Sequence, residues 1–191
     1  MQLQDQAIER TDVAKALVAL HMQEGVVDNC GPDGVAAVER LATAIASTRD
    51  RGIPVISVRM EFEPGLVDLD PAQRANPFLA RFERGTAGAR THASIAPMAG
   101  DIDIVGKRAS AFKRSDLPEV LAALGVTDLV FAGIGTSGTV LATVLEAADL
   151  DYDVSVLSDA CADPDQRVHT LLCERVLPMR AAVLTVEQWS S

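Results

Sequence analysis

The amino-acid sequence predicts an α/β protein. It reads as a single domain over residues 1–191, with a six-stranded parallel sheet covered by helices on both faces in a three-layer α/β/α arrangement. Three observations predict it. Strand-like apolar runs alternate with segments of helical period along the whole chain. The runs are apolar throughout, not at every second position, which is the pattern of strands buried on both faces. Hydrophobic residues make up 48% of the 191 positions, enough for one sizeable core in a chain at the upper end of the common domain size.

The elements follow in order. "KALVAL" (15–20) reads as the first strand. A helix is expected over 33–52, where Val35, Val38, Leu41, Ala42 and Ile45 recur at amphipathic spacing and Gly52 is a natural stop. "IPVISVR" (53–59) is the second strand. Residues 60–100, with Pro64, Pro71, Pro77 and Pro97, lack a strong period and read as a long excursion holding a short helix near 72–83. "DIDIV" (101–105) is the third strand, and "LPEVLAALG" (117–125) the next helix. "DLVFAG" (128–133), "YDVSVLSD" (152–159) and "AAVLTV" (181–186) complete six strands, separated by helices near 137–149 and 164–176. In such Rossmann-like sheets ligands bind beyond the carboxyl ends of the strands, so the residues just after each strand carry the functional argument.

Composition narrows the partners. Formal net charge is −10 and no run of Lys or Arg occurs, so neither nucleic acid nor an anionic membrane surface is an expected partner. No apolar run reaches the ~20 residues of a membrane span. Cys30, Cys161 and Cys173 have no metal-like spacing and are odd in number for disulfides. With no signal peptide in the first residues, a reduced cytoplasmic setting is expected. No metal and no cofactor are expected, and the natural partner is a small-molecule substrate.

One motif asks a specific question. "FAGIGTSGTVLAT" (131–143) contains Gly133-Ile-Gly135-Thr-Ser-Gly138, a literal G-x-G-x-x-G between a strand and a helix, with Asp159 near the offset of a ribose-binding acid. A dinucleotide reading is weakened by its place after the fourth strand, since that fingerprint normally opens the first βα unit. The same turn, with Thr136 or Ser137 as helix N-cap, points backbone N–H groups into the ligand crevice, where they favour a phosphate or an oxyanion. Two other strand ends join it: His21 follows the first strand and Lys107 the third, while Thr139 opens the helix after the glycine turn. A proton carrier, a fixed positive charge and a hydroxyl facing one crevice suit acyl transfer or protonation of a polarised double bond. Gln23, two residues past His21, and Phe112 as an apolar wall are further candidates. His92, Arg84 and Arg90 are candidates to rim the crevice from the excursion, and His169 reads as a surface residue.

The stretches "ALVALHMQEGVVD", "GKRASAFKRSDLPEVLAALGVTDLVFAGIGTSGTVLAT" and "AADLDYDVSVLSDACADPD" together resemble the isochorismatase-like (cysteine hydrolase) superfamily, from about residue 14 to the C-terminus. The resemblance implies an isochorismatase-like sheet of six parallel strands, and a homodimer or homotetramer. It also implies hydrolysis of small amides such as nicotinamide, ureido compounds or N-carbamoyl amines, or of a vinyl ether in the isochorismatase branch. It carries the family's lysine to Lys107, its aspartate to His21 and its nucleophilic cysteine to Thr139. It also implies a cis peptide at Ile134–Gly135, and substrate contacts from Gly135, Thr136 and Gly138. Two of the three catalytic residue types are therefore changed. Three functions stay open: a small-molecule hydrolase with a rebuilt non-cysteine site, a catalytically silent relative binding a ligand or partner in the same crevice, and a dinucleotide-binding protein.

Overall fold

The computed structural model describes residues 14–191; the expectation about a leader in the first residues lies outside the described part. Six strands form one all-parallel sheet in the order β3-β2-β1-β4-β5-β6. They are β1 (Lys15–Leu20), β2 (Val55–Met60), β3 (Ile102–Gly106), β4 (Asp128–Ile134), β5 (Asp153–Ala162) and β6 (Ala182–Leu184). The helices are α1 (Glu24–Val27), α2 (Gly31–Asp50), α3 (Pro71–Arg74), α4 (Pro77–Ala80), α5 (Leu117–Leu124), α6 (Leu141–Asp149), α7 (Gln166–Leu171) and α8 (Val186–Ser190).

Side chains alternate across a strand, so the two faces of β1 build two cores. Leu17 and Ala19 pack with Ala37, Val38, Leu41 and Ile45 of α2 and with Trp189 of α8. Ala16, Val18 and Leu20 pack instead with Leu117 and Leu121 of α5 and with Val144 and Ala147 of α6. Both layers are needed because every residue of β1 after Lys15 is buried. The expected helix stripe holds with one exception: Val35 is exposed, since it lies off the Val38–Leu41–Ile45 face of α2. Gly52 ends α2 as expected, at φ 68°.

Other boundaries move for local reasons. The single helix expected near 72–83 is two short ones, each starting at a proline, Pro71 and Pro77. The helix expected over 137–149 opens as a wide π-type turn, Thr136–Val140, in which Val140 N donates to Gly135 O over five residues. The strand expected to end at 159 runs on to Ala162 through an irregularity against β4, which pairs Gly133 with Cys161 and Ile134 with Ala162. That extension places Asp163 beside the glycine turn. The sheet order reverses direction of growth between β1 and β4, and a crevice opens at their carboxyl ends.

Candidate active site

His21 leaves the end of β1 with φ 51°, a left-handed conformation rare outside glycine, held by a hydrogen bond from its own N–H to Val58 O (2.8 Å). Its Nδ1 lies 2.9 Å from Thr139 Oγ1, and the two residues are 3% and 7% exposed. Thr139 Oγ1 has no other partner among the described residues. A buried hydroxyl has to donate somewhere, and donation to Nδ1 puts the ring proton on Nε2. The reverse assignment strands both the hydroxyl proton and the Nε2 lone pair. Nε2 itself is buried and unpartnered among the described residues. Burial lowers the His21 pKa from 6.5 to about 4, so the ring is neutral near pH 7. Desolvation alone accounts for that shift. The charge of Lys107 is answered by other groups: Nζ donates to Asp68 Oδ2 (2.6 Å) and to Glu61 O (2.7 Å).

The three glycines of the motif have separate tasks. A Cβ at Gly133 would sit 2.5 Å from Leu20 O, so this position lets β1 and β4 approach closely. Gly135 has φ 88° and turns the chain into the helix. Gly138 has open space around it and no positive φ. Neither Thr136 nor Ser137 caps the helix; Gly135 stands at the cap, and the cap group comes from Asp163, whose Oδ2 accepts from Ser137 N and Ser137 Oγ, both at 2.7 Å. A carboxylate is thus already seated where the turn would hold an anion. Gly135 N donates to Ala162 O and Gly138 N to Gly135 O. All peptide bonds among the described residues are trans, Ile134–Gly135 included, which corrects the cis expectation.

A cavity of about 370 Å³ opens at these strand ends. His21, Lys107, Thr139, Gly135 and Gly138 line it. Gln23, Phe112 and Thr136 do not, and the substrate contacts expected of them find no support. The Gln23 amide is consumed in tying loops together: Nε2 donates to Met60 O and Ala89 O, and Oε1 accepts from Met60 N. Phe112 packs into the core against Tyr152, 5.9 Å between ring centres. Thr136 is fully buried, donating to Ala162 O and meeting His169 Nδ1 at 2.9 Å. His169 is therefore half-buried behind the turn, not a surface residue. His92 caps a short turn, Arg84 pairs with Glu61 and Glu63, and Arg90 with Glu24; none of the three reaches the cavity. Asp163, Arg108 and Cys30 also line it and were missed by sequence reasoning. Arg108 adjoins Lys107 in sequence, which was the one available signal for it. The Cys30 thiol is pushed up to about 11 by burial and by Asp163 and Asp33, so it is not a ready nucleophile.

Residues 15–188 match the isochorismatase domain. The chain belongs to the isochorismatase domain family. Among the relatives, a maleamate amidohydrolase of Pseudomonas putida is 30% identical over 139 residues, covering 72% of this chain and 65% of that protein. A protein of Arabidopsis thaliana named "Probable inactive nicotinamidase" is 31% identical over 185 residues, covering 92% and 94%. An isochorismatase family protein of Burkholderia thailandensis superposes with a TM-score of 0.78 at 26% identity, over 93% of this chain and 94% of that one. The family's sheet is the one described above. A dinucleotide pyrophosphate fits poorly here, because Asp163 places a negative charge at the helix start it would need. No group of three or more His, Cys, Asp or Glu among the described residues is arranged to hold a metal ion.

Proposed function

We propose that this chain is a small-molecule hydrolase acting on an amide, ureide, ester or vinyl ether, with a hydrogen-bonded Thr139–His21 pair in place of the cysteine and aspartate of its relatives. The observation that carries the reading is the 2.9 Å contact between buried Thr139 Oγ1 and His21 Nδ1 on the wall of the cavity. It is the nucleophile–base contact that a hydroxyl needs, because a threonine hydroxyl is not acidic enough to attack unaided. For an acyl substrate, Thr139 Oγ attacks the carbonyl carbon while its proton passes to His21 Nδ1. The tetrahedral adduct collapses as that proton moves on to the leaving nitrogen or oxygen. Water, deprotonated by the same Nδ1, then attacks the acyl carbon; the C–Oγ bond breaks, the proton returns from Nδ1 to Thr139 Oγ, and the acid leaves. Lys107 has used two of its three N–H donors on Asp68 and Glu61 O, and the third, without an acceptor among the described residues, can face developing charge. Burial makes His21 neutral and available but also a weak base. Negative charge growing on the substrate oxygen therefore has to raise its proton affinity as the transfer proceeds.

A second reading, a silent relative that binds a ligand in the same crevice, is favoured by the engagement of Gly135 N, Ser137 N and Gly138 N in internal hydrogen bonds. Fewer donors are left for an oxyanion. The Arabidopsis relative, by its name, supports the same reading. Assembly as a homodimer or homotetramer belongs to both readings and is tested by light scattering. The deciding experiment incubates a pool of amides, ureides, esters and vinyl ethers with the unsubstituted protein, Thr139→Val and His21→Asn, followed by mass spectrometry. Loss of one compound with the unsubstituted protein alone supports the hydrolase. Equal loss with all three removes the pair from the chemistry. No loss with any, together with ligand-induced stabilisation, supports the silent binder.

A further inference from the structure

Two cations line the cavity, Lys107 and Arg108, and they are not equivalent. The charge of Lys107 is answered by Asp68 at 2.6 Å, and both side chains are 23% exposed. Arg108 is answered poorly. Its Nη1 donates to Lys107 O at 2.7 Å, which neutralises no charge. Its carboxylate partner, Asp70, is 3.5 Å from Nη2 and 74% exposed, so water competes strongly for that pair. A guanidinium carries five N–H donors in a planar fork. Two have the partners just given, and no described residue accepts from the other three, Nε among them. The Arg108 side chain is nevertheless only 31% exposed, so the fork is held against the cavity wall instead of ranging through solvent.

The rest of the cavity says where a negative group can go. Asp163, tethered to Ser137, stands on the wall by the glycine turn and repels an anion from it. Met60, Phe62, Leu69 and Phe78 supply an apolar wall with nothing to offer a charge. Of the two cations, Arg108 has three donors without a described partner against one on Lys107, its charge is the less well answered, and its planar fork matches the two oxygens of a carboxylate.

We propose that Arg108 recognises a carboxylate on the ligand, so that this site takes small amides, ureides or esters that also bear a carboxylate. The guanidinium holds the carboxylate, and the reacting group lies at Thr139–His21. The placing of the reacting group rests on the hydrolase reading above; the recognition of the carboxylate does not. Asp70, on the strap that follows β2, occupies the fork loosely in the absence of ligand and yields to it.

The test uses matched acid and neutral probes of nearly equal size: succinamate with butyramide, monomethyl succinate with methyl butyrate, and N-carbamoyl-β-alanine with propylurea. Affinity is read by titration calorimetry and turnover by chromatographic loss of the probe, for the unsubstituted protein, Arg108→Gln, Arg108→Lys and Thr139→Val. The acid of at least one pair is expected to bind about 10- to 100-fold more tightly than its neutral partner, the range of a charge-assisted hydrogen bond. Arg108→Gln is expected to abolish the preference, weakening binding of the acid by far more than binding of its neutral partner. Arg108→Lys, which keeps the charge without the fork, is expected to retain part of it, and it decides the matter if Arg108→Gln does not fold. Thr139→Val is expected to keep the preference without turnover. Preference lost with Arg108→Gln but no turnover by any protein supports Arg108 and sinks the hydrolase reading alone. No acid preference in any pair, or a preference that survives intact in Arg108→Gln or in Arg108→Lys, overturns the assignment of Arg108 whether or not turnover occurs.

Discussion

Replacing His21 by Asn isolates the cost of burying an imidazole. Asn tolerates the left-handed backbone at this position (φ 51°), and its side-chain oxygen can take the Thr139 hydroxyl, but it never titrates. In the native protein His21 binds its proton only near pH 4, against 6.5 when exposed. Between those values the unfolded chain holds the extra proton, so the His21 contribution to stability is fully present above about pH 6.5 and falls away as the pH drops toward 4. The interval from 6.5 to 4, at about 1.4 kcal/mol for each tenfold in proton affinity, bounds the complete loss at about 3.4 kcal/mol. Most of the loss reachable under mild conditions comes between pH 7 and pH 5, about 2 kcal/mol, with uptake of nearly one proton on unfolding at pH 5. Urea unfolding of both proteins at pH 5, 6, 7 and 8 reads this directly, and groups common to both cancel in the difference. The unsubstituted protein should lose about 2 kcal/mol more than His21→Asn over that range. Stability curves that stay parallel within about 0.5 kcal/mol would refute the desolvated imidazole with its lowered pKa.

Three further outcomes are expected. Thr139→Val keeps the side-chain shape but leaves buried His21 Nδ1 without a described partner, so urea unfolding should show a loss of about 1–3 kcal/mol; an unchanged midpoint would mean the contact contributes nothing. Gly133→Ala drives a Cβ to 2.5 Å from Leu20 O and should cost about 1–3 kcal/mol or more, whereas Gly138→Ala meets open space and should be near neutral or slightly stabilising. Equal midpoints for those two variants would contradict the separate tasks assigned to the glycines. Asp163→Ala removes the acceptor for Ser137 N and Oγ and should cost about 1 kcal/mol in chemical denaturation, with Asp163→Asn costing less; the reverse order would show that Asp163 does not act as the cap.

Period and composition were enough to determine the layers, because burial on both faces of β1 and on one face of α2 writes itself into which residues are apolar. The strand ends were legible for the same reason, and so the sequence alone points to His21, Lys107 and Thr139. What periodicity does not encode is which polar group meets which. Gln23 has the spacing of a site residue, yet its amide is spent on Met60 and Ala89, which arrive from 37 and 66 residues away. Asp68 neutralises Lys107 from a segment with no period to read. Asp163 reaches the glycine turn only because β5 runs three residues past its expected end through an irregular pairing with β4. Hydrogen-bond and charge partners are settled by where distant segments come to rest in the folded chain. The sequence by itself thus determined the sheet, its covering layers and the crevice. Tertiary structure alone decided that the turn's anion position is filled from within, that burial and not Lys107 keeps His21 neutral, and that Arg108 is left with donors to spare.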